Sequence, residues 1–178
     1  MYLKTLNVDP TFETLQEEGV FRGYASVFHT LDANEDIVLP GCFQHAIDAF
    51  HNQGTVPKML WQHDPHYPIG KWTHLEEDAH GLYVTGKLFL NLPKAQETYL
   101  LMKEQELKGL SIGYHILKSR PHGSSPATLL EKVSLLEISL VTFPANSQAQ
   151  VVECKQDNGS YLSLQERLHA LIQVLEHP

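Results

Sequence analysis

The sequence predicts an α+β protein built on a curved antiparallel β-barrel of about seven strands wrapped by helices. Three observations lead there. Runs rich in β-branched and aromatic residues are more numerous than helical patterns, roughly seven or eight against three. Those runs cluster rather than alternating regularly with helices, which argues against a doubly wound parallel sheet. The 178 residues suffice for one domain with a sizeable core and are too few for two comfortable ones.

The first strand is Val20–Phe28, where Val-Phe-Arg-Gly-Tyr-Ala-Ser-Val-Phe is dense in β-formers. A polar turn over residues 31–36 leads to a short extended piece, Ile37-Val38-Leu39, before Pro40-Gly41. From Cys42 to His51, the spacing of Phe43, Ala46, Ile47 and Phe50 puts them on one face of a helix. Pro57 opens the strand Lys58–His63, and Ile69–Leu75 and Leu82–Leu90 are two more, separated by the turn Asp78-Ala79-His80-Gly81. Asn91 is the expected N-cap of a second helix, with Pro93 in its first turn, Leu100, Leu101 and Leu107 along it, and Gly109 ending it. Leu110–Ser119 is again strand-like, and the Pro-, Gly- and Ser-rich stretch from Arg120 to Pro126 reads as a hairpin loop. A long β-type segment covers Leu129–Phe143, and a short one Ala149–Cys154. After a polar break at residues 156–159, Leu164, Leu168, Leu171, Ile172 and Leu175 form the apolar face of an amphipathic helix. The organisation is thus a domain over 1–155 followed by a polar break and helix over 156–178. That helix either packs on its own domain or forms a homo-oligomer interface.

A formal charge of −8, with no Lys/Arg run interleaved with aromatics, disfavours direct nucleic-acid binding, because phosphate contacts need a basic face. No apolar run approaches the roughly 18–20 residues that cross a bilayer, and the start lacks the pattern of a secretory signal, so a cytoplasmic location without membrane contact is expected. Cys42 and Cys154 are too few and too far apart for a disulfide framework or zinc ribbon and read as reduced thiols.

Three segments could carry chemistry. Gly109-Leu110-Ser111-Ile112-Gly113 matches the G-x-S-x-G pattern of a nucleophile elbow, but an elbow runs strand, turn, helix, and here a helix precedes and a strand follows. Ser111 is then either a strand-edge serine or a nucleophile in another setting. In Leu60-Trp61-Gln62-His63-Asp64-Pro65, His63 closes an apolar strand, where a general base is held rigidly; the alternative is a surface histidine in a turn. With a period of two, Glu137 shares a face with Val133, Leu135, Val141 and Phe143, and a carboxylate on an apolar face needs a partner such as a histidine. The alternative is a glutamate facing solvent at an edge or bulge. His63, Asp64, His66, His74 and His80 lie close in sequence, but Pro65 breaks helical ligand spacing and no H-E-x-x-H or Cys-rich pattern is present, so no metal and no cofactor is expected.

In order along residues 20 to 152, six stretches resemble the prohead (capsid maturation) proteases of tailed phages. They are Phe21–Phe28, Asp36–Phe43, Met59–Asp64 with Pro68–Trp72, Gly81–Leu88, Leu107–Tyr114 and Leu136–Asn146. The resemblance implies a fold similar to that of the herpesvirus assembly proteases. It also implies a serine endopeptidase that cleaves the scaffold portion from the major capsid protein inside the immature prohead, and itself as well. The family's histidine falls on His63, its nucleophilic serine on Ser111 and its acidic third member on Glu137. His63 would take the Ser111 proton, and Glu137 would fix the imidazole tautomer. Two backbone N–H groups would bind the oxyanion, with the loop around Lys118–Ser125 a candidate by position alone. The rival readings are a non-catalytic capsid-assembly module on the same fold and a metal-dependent hydrolase using the histidine cluster.

Overall fold

The computed structural model describes residues 18–54 and 56–154 of the chain. The expected C-terminal helix lies outside the described residues. The strands are β1 (Val20–Val27), β2 (Asp36–Val38), β3 (Lys58–Trp61), β4 (Asp64–Glu77), β5 (Gly81–Leu88), β6 (Gly109–Pro121), β7 (Thr128–Val141) and β8 (Val151–Cys154). The helices are α1 (Gln44–Gln53) and α2 (Pro93–Lys103). Among the described residues no helix is long and apolar enough to cross a membrane.

All eight strands belong to one sheet in the order β2-β7-β3-β4-β5-β1-β8, with β6 along the other edge of β7. The sheet curls until its ends meet. The Leu110 N–H donates to the Ala149 carbonyl at 2.9 Å, and the Val151 N–H donates to the Lys108 carbonyl at 2.8 Å. The barrel-like curvature agrees with expectation, but the pairing is mixed rather than wholly antiparallel. Strands β2 and β3 both run parallel to β7, at Asp36–Val38 against Thr128–Leu130 and at Lys58–Trp61 against Glu137–Leu140. The cause is a crossover: α1 carries the chain along the edge of β7, with the Val133 N–H bonded to the Cys42 carbonyl at 3.1 Å, so β3 must resume in the direction of β2.

Phe21, Phe43, Met59, Ile69, Leu75, Leu82, Leu110, Leu130, Ile138 and Leu140 fill the interior and are at most 1 % exposed. Phe21 meets Trp72 edge-on at 5.5 Å. The Phe43 face of α1 packs as its spacing predicts, with Ala46 and Ile47 buried and Phe50 against the core. Helix α2 departs from prediction. Its N-cap is Leu92 rather than Asn91, and it ends at Lys103, with Gln105 in the left-handed region, so Gly109 opens β6 instead of closing the helix. Its buried face is Ala95, Thr98, Tyr99 and Met102, whereas Leu100 and Leu101 are exposed and Leu107 is buried beyond the helix end. Both cysteines are free, and burial pushes the Cys42 thiol up to about 12.

The start of α1 has no side-chain cap of its own. Glu77, from the end of β4, supplies one: its two carboxylate oxygens accept the Gly41 N–H at 2.8 Å and the Phe43 N–H at 2.7 Å. An anion bonded to two N–H groups at a helix start is worth about 1–3 kcal/mol. Glu77→Ala is expected to lower the midpoint of thermal unfolding by several degrees, read by circular dichroism, without changing activity at low temperature.

Candidate functional site

Strands β3 and β4 are joined by only two residues, Gln62 and His63, between the paired Trp61 and Asp64. Both are in the left-handed region, with φ of 50° and 62°, the geometry of a tight hairpin turn in which Asn-Gly is the common pair. Side chains at both positions cost roughly 1–2 kcal/mol each, so the turn must be held from outside. β7 holds it. The Gln62 N–H donates to the Leu140 carbonyl at 3.0 Å, the Gln62 amide donates to Thr142 Oγ1 at 2.8 Å, and the Thr142 N–H returns to Gln62 Oε1 at 3.2 Å. The His63 N–H donates to Ser139 Oγ at 3.2 Å. His63 is therefore the tip of a clamped hairpin, not the last residue of a strand.

Glu137 reaches His63 because β7 is bulged. Gly113 on β6 pairs with Glu137 and Tyr114 with Leu135, leaving Leu136 unpaired and 47 % exposed. The extra residue inverts the alternation. Before it Val133 faces the core; after it Ile138 and Leu140 do. Glu137 thus does not share the apolar face of Val133 and Leu135, as strict alternation predicts, but lies on the outer face with Ser139. There its side chain is 13 % exposed, and its Oε1 lies 2.6 Å from His63 Nδ1. Ser139, wholly buried, donates to Glu137 Oε2 at 2.5 Å.

The hydrogen bond to Glu137, reinforced by its charge and opposed by partial burial, raises the His63 imidazole above its ordinary value. A carboxylate on Nδ1 favours the neutral tautomer that carries its proton there and turns a free lone pair outward on Nε2. His63 remains 45 % exposed, so Nε2 is accessible.

Ser111 lies on β6 directly opposite Ser139, on the outer face shared by Glu137, and is 6 % exposed. Its cross-strand partner Ser139 bonds both Glu137 and the His63 N–H, but among the described residues no hydrogen bond joins Ser111 itself to His63. Ser111 lines a narrow cleft of about 20 Å³ with Asp32, Asn34, Tyr114 and Asn146. The surrounding G-x-S-x-G lies within a continuous strand and has no elbow geometry. Lys118 lies seven residues further along β6, on the order of 20 Å away, and pairs with Glu131 at 2.7 Å. The Lys118–Ser125 segment thus begins near the far end of β6 from Ser111.

The clustered histidines go to separate partners. His66 bonds Asp64 at 2.8 Å, His74 lies 3.0 Å from Glu76, and His80 packs edge-on against Tyr24. Among the described residues no group of three or more His, Cys, Asp or Glu is placed to hold a metal ion.

Sequence reasoning missed Ser139 and Gly113. The signal for Ser139 was its spacing of two from Glu137. A Cβ on Gly113 would run into the Glu137 carboxylate. That carboxylate is the far end of a flexible side chain, so Gly113→Ala is expected to displace it from His63 rather than unfold β6. Proteolysis should fall at least about tenfold, with the unfolding midpoint within a few degrees of wild type.

Residues 5–161 match a family described as caudovirus prohead serine protease. The prohead protease of Enterobacteria phage HK97 is 36% identical over 162 residues, spanning 88% of this chain and 71% of that protein. That of Escherichia phage T5 is 26% identical over 160 residues, spanning 89% and 71%. Among solved structures, KSHV protease bound to a hexapeptide phosphonate inhibitor aligns with a TM-score of 0.48 at 18% identity, covering 89% of this chain and 77% of that one. Varicella-zoster virus protease aligns with a TM-score of 0.47 at 15% identity, covering the same 89% and 77%. With a family match that spans every described residue, the chain belongs to the caudovirus prohead serine proteases.

Proposed function

We propose that Ser111 is the nucleophile of this prohead protease, His63 its general base and Glu137 the acid that orients the base. As a member of that family the chain is a protease of phage capsid maturation. The observation that carries the residue assignment is the 2.6 Å contact between Glu137 and His63 beside a serine on the adjoining strand. A serine hydroxyl is a poor nucleophile until a base removes its proton. As Ser111 Oγ bonds to the scissile carbonyl carbon, its proton passes to His63 Nε2, and the imidazolium is stabilised by Glu137. The C–N bond then breaks, the same proton goes to the leaving amine, and water, deprotonated by His63, releases the acyl group.

The substrate we infer is the scaffold portion of the major capsid protein, with self-cleavage as a second reaction, both inside the immature prohead. A fluorophosphonate probe tests the assignment. Attack by an activated serine forms a P–O bond and expels fluoride, leaving a stable adduct. Peptide mapping should place that adduct on Ser111 in wild type, with none on His63→Ala. An adduct on another serine, or undiminished labelling without His63, would contradict it.

A further inference from the structure

Of the side chains around this site, Ser139 is the one whose chemistry is fully committed yet lies outside the triad. It is 0 % exposed, so no polypeptide substrate reaches its hydroxyl. Its single proton goes to Glu137 Oε2 at 2.5 Å, and its oxygen accepts the His63 N–H at 3.2 Å. One oxygen atom thus ties the carboxylate and the backbone of the histidine together. Both ends need that tie. Glu137 is 13 % exposed, and the His63 Nδ1 engages only Oε1. Its second oxygen would otherwise be a poorly solvated lone-pair acceptor, free to rotate away from the imidazole. His63 sits at a positive φ of 62°, where the chain relaxes unless its N–H is held.

We propose that Ser139 is a positioning residue for the proteolytic reaction, fixing Glu137 and the His63 turn in one register through its hydroxyl. The inference rests on the assignment of His63 and Glu137 above. Its register also explains why the position is small and polar. Ser139 faces Ser111 across β6–β7 and Leu60 across β3–β7, so any longer side chain would project between the base and the nucleophile strand.

The charges around the pair are few. Lys58 stands opposite Glu137 on β3, Gly113 opposite it on β6 carries none, and the neighbouring Asp64 is taken up by His66 at 2.8 Å. The position of Glu137 therefore dominates the titration of His63, and its loss is readable in a pH profile.

The test is the rate of fluorophosphonate labelling of the full chain against pH, for wild type, Ser139→Ala, Ser139→Cys and Ser111→Ala. Alanine is smaller than serine and cysteine somewhat larger, and neither is an effective donor and acceptor, so a loss shared by both separates hydrogen bonding from packing. With the tie gone, labelling of Ser111 should slow by between about tenfold and 100-fold in both Ser139 variants. The acid limb of the profile should move to lower pH in both, because the imidazole loses the carboxylate that raises it. Wild-type labelling in Ser139→Cys, or an unmoved acid limb with only less reactive protein in both variants, would overturn the proposal. Persistent labelling in Ser111→Ala would instead overturn the assignment on which it rests.

Discussion

Ser111→Ala is expected to abolish cleavage, with a fall on the order of 10⁴-fold or more. The loss should not come from unfolding. Ser111 is an outward-facing residue of a strand whose core is made by Leu110 and Ile112 on the other face, and removing one oxygen leaves the β6–β7 pairing intact. The unfolding midpoint should therefore stay within a few degrees of wild type while the substrate remains whole. His63→Ala should fall by a comparable factor, and combining the two substitutions should cost little more than either alone. Groups that act as a unit are non-additive in this way. A double variant slowed by the full product of the single effects would mean that serine and histidine act separately.

Glu137→Gln is the second large effect. The amide keeps the shape but removes the anion, and it can present an N–H where His63 Nδ1 needs an acceptor. That favours the wrong tautomer and leaves no lone pair on Nε2, so a loss of about 10²- to 10⁴-fold is expected. The pH dependence should change as well. In wild type the hydrogen bond and charge of Glu137 raise the His63 imidazole, so activity rises with pH through a value above the ordinary imidazole range. Without the anion the residual activity should rise at lower pH. Stability follows the same linkage with a definite sign. The protonated imidazole is favoured in the fold, so its contribution is complete below the unfolded histidine value and is lost as pH rises through the raised folded value. A Glu137→Gln profile superimposable on wild type would show that His63 titrates without it.

Much of this architecture was legible in the residues. Alternation and turn chemistry gave the strands β1, β5 and β6 and the α1 face, because each buries one side of a regular element. What alternation could not give was the bulge at Leu136, which depends on pairing with a strand more than twenty residues away rather than on local pattern. That bulge decides which way Glu137 faces. The reasoning that a carboxylate among apolar neighbours needs a partner such as a histidine started from the wrong face and named no particular histidine; its pairing with His63 came from the family resemblance, and His63 is the residue Glu137 meets. His63 was visible as a residue fixed at a strand end, but Gln-His is not a usual pair for a two-residue turn. Its conformation exists only because Ser139 and Leu140 of β7, and Thr142 just beyond it, restrain it. The parallel crossover and the end of α2 were missed for a similar reason: Gly109 looked like a helix stop, whereas close approach of the Val141 carbonyl and the Pro144 ring requires it at the start of β6.

The central claim is that Ser111 cuts the capsid protein. Co-expression of this chain with the major capsid protein of its own phage, wild type beside Ser111→Ala, tests it directly when the products are read by intact mass. A capsid chain shortened at one end by wild type alone, and full length with Ser111→Ala, is the predicted result. A capsid chain shortened equally by both would contradict the account.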